Sequence, residues 1–183
     1  MPSRNERRQL ASSARLRLLE TVCCATLALT GCAGYRLGPS NGLAAGEKSI
    51  QVNPFGNQTL EPHLGEAVTA AVRKNLQRDG TYRLATHDDG DLVITGEITR
   101  YNRFELSYQP HDILTVRDYK LTLTAHVIAR ERGTGKVVLD RVVAGATPVS
   151  VGSDLASAER QARPLLAEDL AKEVIALLVD GSW

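Results

Sequence analysis

The sequence predicts an α+β fold, a two-layer sandwich with two helices on one face of a mostly antiparallel four- to five-stranded sheet, in the order β-α-β-β-β-β-α. Three observations predict it. Tyr119, Leu121, Leu123, Ala125, Val127 and Ala129 share one face of a stretch whose other face carries Asp118, Lys120, Thr122, Thr124, His126 and Arg130. That is the period of a half-buried strand. Leu64, Ala67, Val68, Ala71, Val72 and Leu76 recur at helical spacing before it, and Leu155, Ala158, Ala162, Leu166, Leu170, Val174 and Leu177 do so after it. Each stripe buries one side of a helix.

In chain order, Ser49 to Phe55 alternates apolar and polar residues and is a first strand ended by Pro54. Pro62 stands near the start of the first helix and Gly80 stops it, leaving Arg73, Lys74, Gln77 and Arg78 on its solvated side. Thr81 to Ala85 and Leu92 to Ile98 are strands separated by Thr86-His87-Asp88-Asp89-Gly90-Asp91, a turn by composition. From Leu92 to Tyr108 the alternation continues, with Phe104, Leu106 and Tyr108 on one face and Arg103, Glu105 and Ser107 on the other. Gln109 to Asp112 ends that strand. Glu131 to Lys136 supplies the next turn, and Val137 to Ala144 is the last strand, so the three long strands form an antiparallel meander. Ser153 is placed to cap the final helix, and Pro164 inside it predicts a kink or restart.

The N-terminus carries a different signal. Arg4, Arg7, Arg8, Arg15 and Arg17 precede a nine-residue apolar core, Thr21 to Leu29. That is the length of a cleaved export signal and too short to span a bilayer. Leu29-Thr30-Gly31-Cys32 follows and resembles the bacterial lipobox, in which the cysteine is acylated and becomes the new N-terminus. Glu20 departs from the pattern. The expected organisation is a signal peptide over 1–31, a lipidated Cys32 with a glycine-rich tether over 32–47, and one domain over 48–183. With Ala33 and not Asp after the cysteine, the resemblance implies the outer membrane, on its periplasmic side. Stable anchoring needs more than one acyl chain, at roughly 0.8 kcal/mol per buried methylene.

Removing the signal takes away Cys23 and Cys24, so no disulfide is available and the fold stands on packing. It also takes five Arg and two Glu, turning a net charge of +1 into −2 for residues 32–183. No basic field remains to attract nucleic acid. His63, His87, His111 and His126 have no metal-ligand spacing, and Asp88, Asp89 and Asp91 lack the rest of a calcium loop. Gly133-Thr134-Gly135-Lys136 lacks the earlier Gly and the following Ser or Thr of a phosphate loop. No nucleophile stands beside a base, and Glu97 with Asp140 is an unremarkable pair of strand carboxylates. The expectation is a protein without catalytic residues, metal or cofactor, whose polar sheet face (Thr95, Glu97, Thr99, Lys120, Thr122, Thr124, His126 and Arg130) is either solvated or a docking surface.

Cys32-Ala33-Gly34-Tyr35-Arg36-Leu37, Val52-Asn53-Pro54-Phe55-Gly56-Asn57-Gln58-Thr59 and the Glu159 to Leu178 helix resemble the lipopolysaccharide-assembly lipoprotein family LptE. The resemblance implies a domain that plugs the outer-membrane β-barrel LptD, assists its assembly and helps deliver lipopolysaccharide to the outer leaflet. Cations meeting lipid A phosphates are then expected, with Arg100, Arg103, Arg117, Lys120 and Arg130 as candidates by strand position. Residues 49–98 also resemble curli-secretion and penicillin-binding-protein-activator lipoproteins, although those would interleave more helices after Ile98. Mass spectrometry of the native protein is expected to show a chain starting at acylated Cys32; residues 1–31 intact, or a free thiol at Cys32, would overturn the lipoprotein reading.

Overall fold

The computed structural model describes residues 46–151 and 154–180. Its elements are β1 (Ser49–Val52), β2 (Gly56–Asn57), α1 (Leu64–Asp79), β3 (Arg83–Leu84), β4 (Leu92–Gln109), β5 (Asp112–Glu131), β6 (Val137–Ser150) and α2 (Leu155–Asp180). The strands form one sheet in the order β3-β1-β4-β5-β6, with β2 pairing beside β4. β1 runs parallel to β3 and β4, β2 runs parallel to β4, and β4, β5 and β6 form the antiparallel meander expected from the turns. The α+β sandwich is therefore as the sequence predicts, with a two-residue sixth strand added.

The alternation of β5 sets the core. Leu121, Leu123, Ala125, Val127 and Ala129 are fully buried, and with Ile50, Ile94, Ile98, Leu64, Val68, Leu76, Leu166, Leu170 and Leu178 they make one apolar cluster between sheet and helices. α1 enters through His63 in the left-handed region, directly after Pro62. It leaves through Gly80 at φ 75, whose N–H donates to the Leu76 carbonyl; a left-handed cap of this kind is where glycine is favoured. Its charged side is not wholly solvated: Lys74 and Arg78 both reach Glu168 of α2, at 3.6 and 2.8 Å, and Arg73 donates to the Val52 carbonyl.

Several boundaries differ from the sequence reading. β5 begins six residues before its alternating stretch, at Asp112 and not Asp118, and β6 runs to Ser150 and not Ala144. The β4–β5 turn is only Pro110-His111, with His111 at φ 70. Residues near that turn are exposed on both faces, so burial imposes no alternation there although the ladder continues. The pairing also shifts register between Ile98 and Arg100 and repeatedly from Glu105 to Gln109. The single face expected for Phe104, Leu106 and Tyr108 is thus interrupted. Ser153 lies outside the described residues, and Asp154 supplies the cap, its carboxylate accepting from the N–H groups of Ala156 and Ser157. α2 passes through Pro164 as one unbroken helix, without the restart that proline suggests.

At Gly145 of β6 a Cβ would sit 2.5 Å from the Leu170 nitrogen and 2.8 Å from its Cα. The helix backbone rides directly on the strand at that point, and no side-chain rotation relieves such a clash. Gly145→Ala is expected to cost about 1–3 kcal/mol, the usual range for overpacking, seen as a lower urea midpoint at unchanged slope; a midpoint equal to that of the parent would show that helix and strand are not in this contact.

Candidate docking face and hairpin

The irregularity after Ile98 decides which side chains of β4 face away from the helices. Residues opposite one another in an antiparallel pair share a face. Before the shift, Ile94 and Ile98 oppose Ala129 and Ala125 and point to the core, while Glu97 opposes His126 on the open face. After it, Arg100, Asn102 and Phe104 oppose Thr124, Thr122 and Lys120, so they join the open face. Tyr101 and Arg103 oppose Leu123 and Leu121 and turn under α2.

The five candidate cations consequently separate. Arg100, Lys120 and Arg130 stand exposed on the open face with no ion pair or side-chain hydrogen bond among the described residues. Thr124, opposite Arg100, lies four residues from Lys120 and six from Arg130, about 13 and 20 Å along a strand rising ~3.3 Å per residue. They form a line and not a pocket. Arg103 is held 3.1 Å from the Glu159 carboxylate, and Arg117 lies 3.8 Å from Asp118. Between Arg100 and Arg130 the face carries His126, whose Nε2 is 2.6 Å from Asp140 of β6, and Glu97 beside it. Glu97 and Asp140 are thus parted by an imidazole and do not meet as a pair.

The far end of the β4–β5 hairpin is apolar where it meets solvent. Phe104 and Leu106 are each 53% exposed, Tyr108 46% and Leu114 89%. Asp112 accepts from the Leu114 N–H and the Thr115 hydroxyl, which tightens the turn and lowers its carboxyl pKa. Asp118 ties the base together by accepting from Ser107 on β4 and from Ser150 on β6. The Ser107 bond first and the Ser150 bond second hold its pKa below the ordinary 3.8. Such a surface offers shape, charge and apolar contact; among the described residues no three His, Cys, Asp or Glu gather to hold a metal.

A second constellation was not anticipated from the sequence. Under the first turns of α2, Glu159 is 5% exposed and meets Arg103, while Arg163 pairs with Glu61 from the segment before α1. Tyr101 lies with them, its hydroxyl pushed up to about 12 by burial first and then by Glu159 and Glu61. A glutamate on the apolar stripe of the last helix was the available signal. Recognising its partner required knowing that the register shift turns Arg103 inward.

A family model described as LptE, lipopolysaccharide-assembly, matches residues 47–180. No curated relative matches the chain. Among solved structures, the protein XCC0632 of Xanthomonas campestris is similar at 11% identity, covering 80% of this chain and 91% of its own, with a TM-score of 0.58. The hypothetical protein CT253 of Chlamydia trachomatis is similar at 12% identity, covering 76% and 98%, with a TM-score of 0.55. At these identities the likeness is one of fold.

A carboxylate whose pKa is depressed by folding contributes stability above its unfolded value that is lost as pH falls through its folded value. Asp118→Asn is therefore expected to make the fall of stability below about pH 3.8 shallower, measured as urea midpoints from pH 6 to pH 2. A pH dependence identical to the parent's would show that the Ser107 and Ser150 bonds do not favour the charged form.

Proposed function

Because this chain belongs to the lipopolysaccharide-assembly family LptE, we propose that it is an outer-membrane lipoprotein, anchored through acylated Cys32, that seats its folded body in an LptD-like β-barrel. There it assists assembly of the barrel and takes part in moving lipopolysaccharide to the outer leaflet. The observation that carries this reading is the extent of the family match, from Glu47 before β1 to Asp180 at the end of α2. It covers the whole described fold.

The geometry supports the role. β1 pairs with Leu92, Val93 and Ile94 at one end of β4, so the chain arrives from the tether at the end opposite the hairpin turn. From Ile94 to Gln109 is fifteen residues, about 50 Å of strand. That exceeds the ~25 Å apolar band of an outer-membrane barrel. A body tethered on the periplasmic side thus carries its hairpin the full depth of such a lumen. The polar open face suits a polar lumen wall, and the exposed Arg100, Lys120 and Arg130 suit lipid A phosphates, which accept charge-assisted hydrogen bonds. Arg103 and Arg117 complete the five cations of the proposal, each already beside a carboxylate. No step of this work needs a nucleophile, a metal or a cofactor.

Copurification from detergent-solubilised outer membranes is expected to yield an equimolar complex with a large β-barrel that retains lipopolysaccharide. In that complex the triple variant Arg100→Ala, Lys120→Ala, Arg130→Ala is expected to retain about tenfold less lipopolysaccharide with barrel association unchanged, the scale of a lost charge-assisted contact. Recovery of a peptidoglycan synthase in place of a barrel would refute the proposed role, and unchanged lipopolysaccharide in the triple variant would remove the three cations from it.

A further inference from the structure

The two parts of α2 are attached to the molecule by different physics. From Leu166 onward the helix buries Leu166, Ala167, Leu170, Ala171, Val174, Ile175 and Leu178. Before Pro164 its only buried residues are Glu159 and Ala162. The first nine residues are thus held by two small apolar contacts, buried Ala162 and partly buried Ala158, and by two charge pairs, Arg103 with Glu159 and Glu61 with Arg163.

Those pairs are incompletely satisfied. Among the described residues, the buried side-chain polar atoms without a hydrogen-bond partner are Tyr101 Oη, Glu159 Oε1 and Arg163 Nε, and all three belong to this cluster. Arg103 Nε approaches Glu159 Oε1 to 3.1 Å, yet the N–H is not aligned to donate to it. A buried charge gains stability only when its bonds are complete, so exposure to water restores to these groups what closure withholds.

Pro164 marks the boundary between the two parts. Lacking an N–H, it cannot donate to the carbonyl four residues back, at Arg160, so the hydrogen-bond ladder is broken where the apolar anchoring begins. A nine-residue helix is itself marginal in water.

We propose that Leu155–Arg163 is a strap that opens as a unit, melting off the sheet up to Pro164 while the rest of α2 stays docked. Opening breaks both ion pairs, uncovers Tyr101 and Glu159, and releases Arg103, already half-exposed, from its carboxylate. The closed strap is therefore a latch on the hairpin root: whatever draws Arg103 away from Glu159 favours release of the helix, and release of the helix frees Arg103. This inference stands on the geometry of the chain and holds whether or not the barrel-docking role does.

Hydrogen exchange on the full-length protein in detergent tests it. Amides of 158–163 are expected to exchange at least about tenfold faster than those of 166–178, with a step at Pro164, as separate opening units do. Glu159→Gln is expected to widen the gap by accelerating 158–163 alone, leaving 166–178 within about twofold. Pro164→Ala, which restores the missing donor, is expected to slow 158–163. Fast exchange confined to the first four amides, the ordinary fraying of a helix end, would overturn the proposal. So would one common protection across 155–180, or a Pro164→Ala variant that leaves 158–163 unchanged, and this last measurement serves even if Glu159→Gln does not fold.

Discussion

The antiparallel ladder between β4 and β5 assigns a partner to nearly every residue from Leu92 to Gln109, and its irregularity between Ile98 and Arg100 exchanges the faces of everything beyond it. One residue of slip in a strand moves each following side chain to the opposite face. With regular pairing, Arg100 and Asn102 would point beneath α2, and Tyr101 and Arg103 would point to solvent. Glu159 would then be buried without its cation. The place of Arg100 beside the exposed cations of β5 and the pairing of Arg103 with Glu159 are both consequences of that single inserted residue, and Thr99, at the shift, steadies it by donating to the Thr124 carbonyl.

The same point divides the molecule energetically. Toward the β1 end, fully buried Leu, Ile and Val side chains from sheet and both helices meet, each contributing roughly 1.5–3 kcal/mol through removal from water. Toward the hairpin, α2 is held by the small apolar Ala158 and Ala162, by Arg103 of β4 on Glu159, and by Glu61 of the segment before α1 on Arg163. Partly exposed pairs of this kind contribute about 0–1 kcal/mol. Rigidity and mobility are thus distributed along the long axis of the sheet, with the firmly packed end at β1 and the lightly held end at the hairpin.

Where burial differs between the two faces of an element, the sequence records it, and there the reading was accurate. The odd positions from Tyr119 to Ala129 and most of both helix stripes locate the core, although Leu177 is exposed and Leu178 is buried in its place, and the turn compositions give the meander. Where both faces meet solvent, no pattern is written: residues 112–118 lie in β5 without alternating and only Asp112, Val116 and Asp118 have ladder partners, and the extension of β6 to Ser150 leaves no mark in the local spacing. Strand parity alone places Lys120 and Arg130 on the open face, whereas Arg100 joins them only through the shift after Ile98. Arg103 was separated from them by a backbone irregularity that has no glycine or proline to announce it. Asp154 and Pro164 show the same limit at the level of a helix, since a cap one residue along, or a proline tolerated at an exposed turn, depends on surroundings beyond local spacing.

The edges of the sheet bear on how it meets a partner. β3, at one edge, has two residues, too few to template a further strand. At the other edge β6 carries Pro148, which has no N–H to offer, and the N–H of Ala146 is already taken by the Asp169 carboxylate at 2.8 Å. Proline and occupied edge donors are the means by which sheets avoid recruiting strands. Those two edges are blunted, but β1 and β2 pair β4 only as far as Ile98, so from Thr99 to Gln109 the side of β4 away from β5 has no neighbouring strand among the described residues. The surfaces left for another molecule are therefore the side chains of the open face, the apolar end of the hairpin and that open stretch of β4 backbone, the last two on the half of the sheet away from β1.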